Sequence, residues 1–337
     1  MTKRRISRPR AHACLALLCV LLLSHSFAPV RVAAQTSSSL QPQLIDYHQH
    51  LLSPAAAKLA GLPQPFTARD LIRLMDAAGV HRALVLSLAY QYGNPNKPPV
   101  ANEYAQARKE NDWTAGQVAQ FPDRLRAFCA VNPLKSYALK EINRCAKNRY
   151  LRSGLKLHFG NSDVDLDDPQ QVAQVQRVFQ AADAHGMAIV VHLRPSVNRH
   201  RPYGAREAEV FLNQVLPSAP HVPVQIAHLA GAGSFDDPSV DEALSVFVKA
   251  IAQGDPRMAH VYFDISGVAG VGQWKDKQPR IAQRIREIGV SRILFGSDGA
   301  FGGGMAPADA LAAYRKLPLT DQEFHTIDSN LAPYMHW

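Results

Sequence analysis

Residues 44–50 read LIDYHQH, an apolar pair followed by a carboxylate and two histidines one residue apart. Read as a strand, successive side chains alternate faces. Asp46, His48 and His50 then share one face, with the histidine Cα atoms about 6.6 Å apart. Two imidazoles at that spacing can converge on one ion. A His-x-His pair alone is a weak signal, because surface turns produce it by chance. Its weight comes from the rest of the chain.

One alternation repeats from Leu44 to the end. Short runs rich in Val, Ile and Leu are each followed by a stretch with helical period. The runs are 44–52, 82–89, 125–133, 154–160, 188–195, 223–231, 261–269 and 292–300. Helical stretches include 67–78, with Thr67 and Asp70 spaced as a capping box, and 170–185, 205–216, 241–253 and 278–288. Gly79, Gly186 and Gly289 stand where helix C-caps belong. Strand–helix repeated eight times predicts an α/β fold, a single-domain (β/α)8 TIM barrel over residues 44–337. A doubly wound open sheet would want a glycine-rich first turn, and none follows the first strand. An insert after strand 2, residues 90–122, is expected to form a loop and a helix over the barrel mouth.

Residues 1–34 have the layout of a signal peptide. Lys3, Arg4, Arg5, Arg8 and Arg10 precede an apolar run from Ala13 to Ser24, and Val32-Ala33-Ala34 offers small residues before a cut near Ala34. The run is shorter than the ~20 residues of a spanning helix, so the mature chain is expected to carry no membrane span. The protein is expected to be exported, periplasmic or secreted, with residues 35–43 as a polar lead-in. The leader holds six cations and no acid, so its removal lowers the net charge from +9 to +3. Without a basic tract interleaved with aromatics, nucleic acid is not an expected partner. Cys129 and Cys145 remain, either paired in an oxidising compartment or as two buried free thiols.

Barrel chemistry sits at the C-terminal ends of the strands. There the chain places His48 and His50, then Lys156 and His158 (GLKLHFG), and His192 and Arg194 (IVVHLRP). His228 (VQIAHLAG), Asp264 and Ser266 (YFDISG) and Asp298 (LFGSDGA) follow on later strands. His12, His25, His81, His185, His200, His221, His260, His325 and His336 lie away from these ends and read as ordinary core or surface residues.

This set resembles the amidohydrolase superfamily, in its amidohydrolase-2 branch of metal-dependent barrel hydrolases and decarboxylases. The similar segments are DYHQH at 46–50, FPDRLRAFCAVNP at 121–133, GLKLH at 154–158, VVHL at 190–193, IAHLAG at 226–231 and LFGSD at 294–298. The resemblance implies His48, His50, His192 and Asp298 as ligands of one divalent metal, with His228 beside it for proton transfer. Zinc is the default for such a set, and manganese, iron or cobalt would also be accepted. A homodimer is common among relatives of this branch. The chain departs from the family after Asp298, where Gly299, Ala300, Phe301 and the run Gly302–Gly304 follow, and in its tail SNLAPYMHW.

A histidine of reference pKa ~6.5 cannot deprotonate water at ~15.7, a mismatch worth ~12 kcal/mol, and a zinc-type ion removes most of that gap. The expected activity is hydrolysis of a small-molecule lactone, ester or amide, with Asp298 and His228 as catalytic residues. Non-oxidative decarboxylation of a small unsaturated or aromatic acid is the alternative, and a catalytically silent metal-binding barrel is a third reading. Lys156, His158 and Arg194 are expected to contact substrate. Two further readings stay open, Lys156 paired with Asp46 or Asp264 in the barrel floor, and Arg194 in a salt bridge at the rim.

Overall fold

The computed structural model describes residues 43–233, 235, 238–268, 275–299 and 306–336. The leader, nearly all of the lead-in and the segment from Ala300 through Gly304 lie outside the described residues. Eight parallel strands follow one another in sequence order: β1 (Ile45–Gln49), β2 (Arg82–Leu86), β3 (Leu125–Ala130), β4 (Gly154–His158), β5 (Ala188–His192), β6 (Val224–Ile226), β7 (Val261–Asp264) and β8 (Ile293–Leu294). Past β8 the chain runs beside β1 and joins the two ends of the sheet. The Tyr47 N–H donates to the Phe295 carbonyl at 2.9 Å and the Asp298 N–H to the His48 carbonyl at 2.8 Å.

Each strand is followed by a flanking helix. These are α1 (Ala68–Ala78), α2 (Glu103–Val118), α3 (Ala138–Cys145), α4 (Pro169–Ala184), α5 (Ala205–Val210), α6 (Pro238–Ala252), α7 (Gln278–Ile288) and α8 (Pro307–Tyr314). The Thr67–Asp70 capping box forms at the start of α1. The stretch 205–216 is less regular than its period predicts. After α5 it widens into a π turn over Phe211–Val215 and ends as a 3-10 turn over Leu216–Ser218. Pro217 lacks the N–H that would bond to residue 213, which loosens the ladder at that point. In the insert after β2, the loop half lies at the mouth, while α2 packs against β3. There Asn111 both donates to the Ala130 carbonyl and accepts from its N–H, each at 3.0 Å.

Strand parity sorts the core. Leu155 and Leu157 on β4, and Ile189 and Val191 on β5, pack outward against the helices. Leu84, Leu86, Phe128 and Val190 fill the barrel's lower interior, plugged by Tyr334 and Met335 of the C-terminal segment. The opposite parity on β4 and β5 therefore sends Lys156, His158 and His192 into the barrel.

On β1 the simple alternation fails. Three residue steps, Asp46 to Gln49, oppose two on β2, Ala83 to Val85, a bulge that shifts the pattern. Ile45 and Tyr47 join the interior cluster. Asp46 does not share the histidines' site: its carboxylate accepts from the Ser297 N–H at 3.0 Å and hydroxyl at 2.6 Å, lacing β1 to the chain after β8.

Of the two readings of the cysteines, the paired one holds. Cys129 and Cys145 form a disulfide between β3 and α3, with Cα atoms 6.1 Å apart. Cys129 faces outward from its strand and Cys145 lies in the last turn of the helix that follows, so the connection folds them together.

Candidate active site

Of the residues singled out in the sequence, His48, His50, Lys156, His158, His192, His228 and Asp298 line one cavity of about 180 Å³ at the C-terminal mouth. Arg194 does not. β5 ends at His192, so strand alternation no longer applies two residues later. Arg194 is buried, with its guanidinium 4.9 Å from the Tyr203 ring centre.

The hydrogen bonds fix which nitrogen of each histidine carries a proton. His50 Nδ1 lies 2.7 Å from the Leu86 carbonyl, an acceptor only, so it donates there. His48 Nδ1 lies 3.0 Å from the Asp264 carboxylate and donates likewise. Burial, aided by the charge of nearby Lys156, pushes the His48 pKa down to about 3, so the ring is neutral. In this tautomer each ring presents an Nε2 lone pair. Both lone pairs face Asp298 Oδ1, at 3.7 Å from His48 and 3.4 Å from His50.

Three acceptors facing one another repel unless a cation lies among them. These three donor atoms lie within 4.8 Å of one another, and two nitrogens with one oxygen are a ligand set for a borderline divalent ion. The described residues therefore fit a metal. His192 is not in that tight trio. Its ring stacks on His158 with centres 3.8 Å apart and stands edge-on to His228 at 5.1 Å.

Lys156 Nζ lies 3.0 Å from His48 Nε2, a donor aimed at the same lone pair. No carboxylate comes within ion-pair distance of it among the described residues, so the barrel-floor pairing with Asp46 or Asp264 does not form. Burial pushes its pKa down to about 8, against the raising pull of Asp264 and Asp298. His158 Nδ1 accepts the Asn161 N–H at 3.1 Å, which puts its proton on Nε2.

His228 reaches the cavity through an unusual backbone. His228, Leu229 and Ala230 all have left-handed φ, at 56°, 48° and 65°. Such residues cost about 1–2 kcal/mol each. The His228 N–H donates to Asp264 Oδ1 at 3.0 Å, and Nδ1 lies 2.7 Å from the Ser266 carbonyl. The His228 and His48 ring centres are 4.7 Å apart.

Tyr90, Gln91 and Asn161 also line the cavity and were not read from the sequence as site residues. Tyr90 lies in the loop that follows the exit of β2, and that placement was the available signal. Burial pushes the Tyr90 hydroxyl pKa up and keeps it protonated as a donor.

A family model described as Amidohydro_2, amidohydrolase, matches residues 45–328. No curated protein is similar enough to match. Among solved structures, the chain resembles 5-carboxyvanillate decarboxylase from Sphingomonas paucimobilis, at 18% identity and a TM-score of 0.60 over 87% of this chain and 98% of that one. A dihydroxybenzoic acid decarboxylase from Polaromonas sp. JS666 with bound manganese gives 17% identity and 0.57 over 85% and 94%. A probable 2-pyrone-4,6-dicarboxylic acid hydrolase from Acinetobacter baumannii gives 17% identity and 0.52 over 85% and 96%.

Proposed function

The chain belongs to this amidohydrolase family, and on that premise we propose that it is a metal-dependent hydrolase of a small carbonyl compound, a lactone, ester or amide. The observation that carries the reading is the set of acceptors on His48, His50 and Asp298 facing one another beside a further histidine base. His192 is proposed as the remaining protein ligand, and zinc as the ion, with manganese the first alternative. A divalent ion held there would supply Lewis acidity toward a carbonyl and toward water.

The chain's own residues supply the rest. His228, with its Nδ1 proton committed to Ser266, keeps an Nε2 lone pair that takes the proton from the attacking water and returns it to the leaving group, an alkoxide or an amine. The Lys156 ammonium and the His158 Nε2–H offer donors to the oxygen on which charge develops. The described walls are almost wholly polar, Ala232 being the apolar exception, which suits a small oxygen-rich substrate.

Decarboxylation of a small unsaturated or aromatic acid is the second reading, favoured by the decarboxylases among the similar folds. The buried disulfide supports export, since such bonds persist in oxidising compartments. The test loads the purified protein with Zn2+ or Mn2+ and assays lactone and ester panels beside carbon dioxide release from aromatic acids. Lactone or ester turnover that needs the ion is expected. Carbon dioxide release alone would replace the reading with decarboxylation, and a bound ion without any turnover would leave a silent barrel.

A further inference from the structure

One carboxylate beneath the cavity gathers an unusual number of donors. Asp264 Oδ2 accepts from His48 Nδ1 at 3.0 Å and from the Gln225 amide at 2.5 Å. Asp264 Oδ1 accepts from the His228 N–H at 3.0 Å, the Ser266 N–H at 3.1 Å and the Ser266 hydroxyl at 2.5 Å. The hydroxyl has one hydrogen, and Asp264 takes it. Its lone pairs are left for the two rings beside it, His48 Nδ1 at 3.1 Å and His228 Nδ1 at 3.0 Å. Gly296 makes this approach possible, since a Cβ there would stand 3.0 Å from the Cβ atoms of both His48 and Ser266.

Every atom facing the two Nδ1 positions is thus an acceptor: a carboxylate oxygen, a carbonyl and a hydroxyl whose proton is spent. Lys156 donates to His48 from the opposite side of the ring. We propose that Asp264 and Ser266 are positioning residues forming one shared lock, which fixes His48 and His228 together in the Nδ1–H tautomer. Asp264 also holds the backbone of His228 at the start of its left-handed turn. The inference rests on the reading of His48 as a ligand and His228 as the proton carrier, because it couples those two tasks. A ring flipped to Nε2–H can neither bind a cation nor accept a proton from the cavity. Losing the lock disables both rings at once.

The test reads tautomers directly in metal-free protein by 15N NMR of histidine-labelled samples, with signals assigned from the His48→Gln and His228→Gln variants. In the wild type both rings are expected as Nδ1–H. Ser266→Ala removes the hydroxyl that the rings share but leaves the Asp264 carboxylate and the residue 266 carbonyl in place, so both signals are expected to move only partly toward mixed tautomers. Asp264→Asn places an amide donor within reach of His48 and is expected to weaken Zn2+ binding roughly ten- to a hundredfold by calorimetry. Should Asp264→Asn fail to fold, the smaller Ser266→Ala change carries the same test. Unchanged tautomers in the folded variants, or a shift confined to one ring, would overturn the lock. Failure of the wild type to bind Zn2+ would sink the metal-hydrolase reading, while the ring signals still decide the lock.

Discussion

Asp298 Oδ1 and His50 Nε2 stand 3.4 Å apart, and each turns a lone pair toward the other. The His50 proton is already committed to the Leu86 carbonyl, so that ring cannot relieve the contact while neutral. Removing the charge on the aspartate should therefore remove the reason for a cation there. Asp298→Asn is expected to lower Zn2+ affinity roughly a hundredfold or more, with turnover lost in parallel. Metal content after dialysis, measured per chain, checks this. A variant that retains a full equivalent would contradict it.

His228→Asn keeps a polar group near the position of Nδ1 but removes the basic Nε2. Turnover is expected to fall by about 10²–10⁴-fold, the usual reach of general acid–base catalysis, while bound metal stays constant. Paired rate and metal measurements on one preparation separate this from simple loss of the site.

The Cys129–Cys145 bond closes a loop of 16 residues. By loop-closure entropy such a cross-link is worth about 3 kcal/mol. Cys145→Ser is expected to lower the urea midpoint accordingly, with kcat at low temperature unchanged because the pair lies outside the cavity. A midpoint equal to wild type would show that the bond adds no stability.

Glu323 gives a pH test with a definite sign. Its fork to Arg286, at 2.6 and 2.9 Å, and the Thr320 N–H at 2.7 Å lower its pKa from 4.5 to about 2. A depressed folded pKa stabilises the protein above 4.5 and loses that contribution as pH falls toward 2. Glu323→Gln is expected to cost under about 1 kcal/mol at pH 7, because the pair is at the surface. The gap between variant and wild type should close through pH 4.5 to 2, as followed by urea unfolding. A constant gap would remove Glu323 ionisation as its cause.

Much of the architecture was legible because a barrel repeats one local pattern eight times. The parity that puts Lys156, His158 and His192 inside could be counted along β4 and β5. Asp46 escaped that counting, because a bulge depends on how many residues the neighbouring strand offers in register. Arg194 escaped for a related reason: face alternation stops where β5 stops. The pairing of Cys129 with Cys145 depends on how a helix rolls against its own strand, which spacing alone does not set. Asp264 and Ser266 were visible at the end of β7, but their work is done through bonds to β1 and β6, and only proximity in space reveals such bonds.

The reversed hand of the chain at His228, Leu229 and Ala230 limits where this enzyme can change. Valine or isoleucine at position 229 would crowd a conformation that already tolerates few side chains, so random variation there should be lost as misfolded protein. Tyr90, Gln91 and Asn161 reach the same cavity from ordinary right-handed backbone. Directed evolution toward new substrates should therefore collect its successful changes on the β2 and β4 side of the mouth and leave the β6 exit untouched.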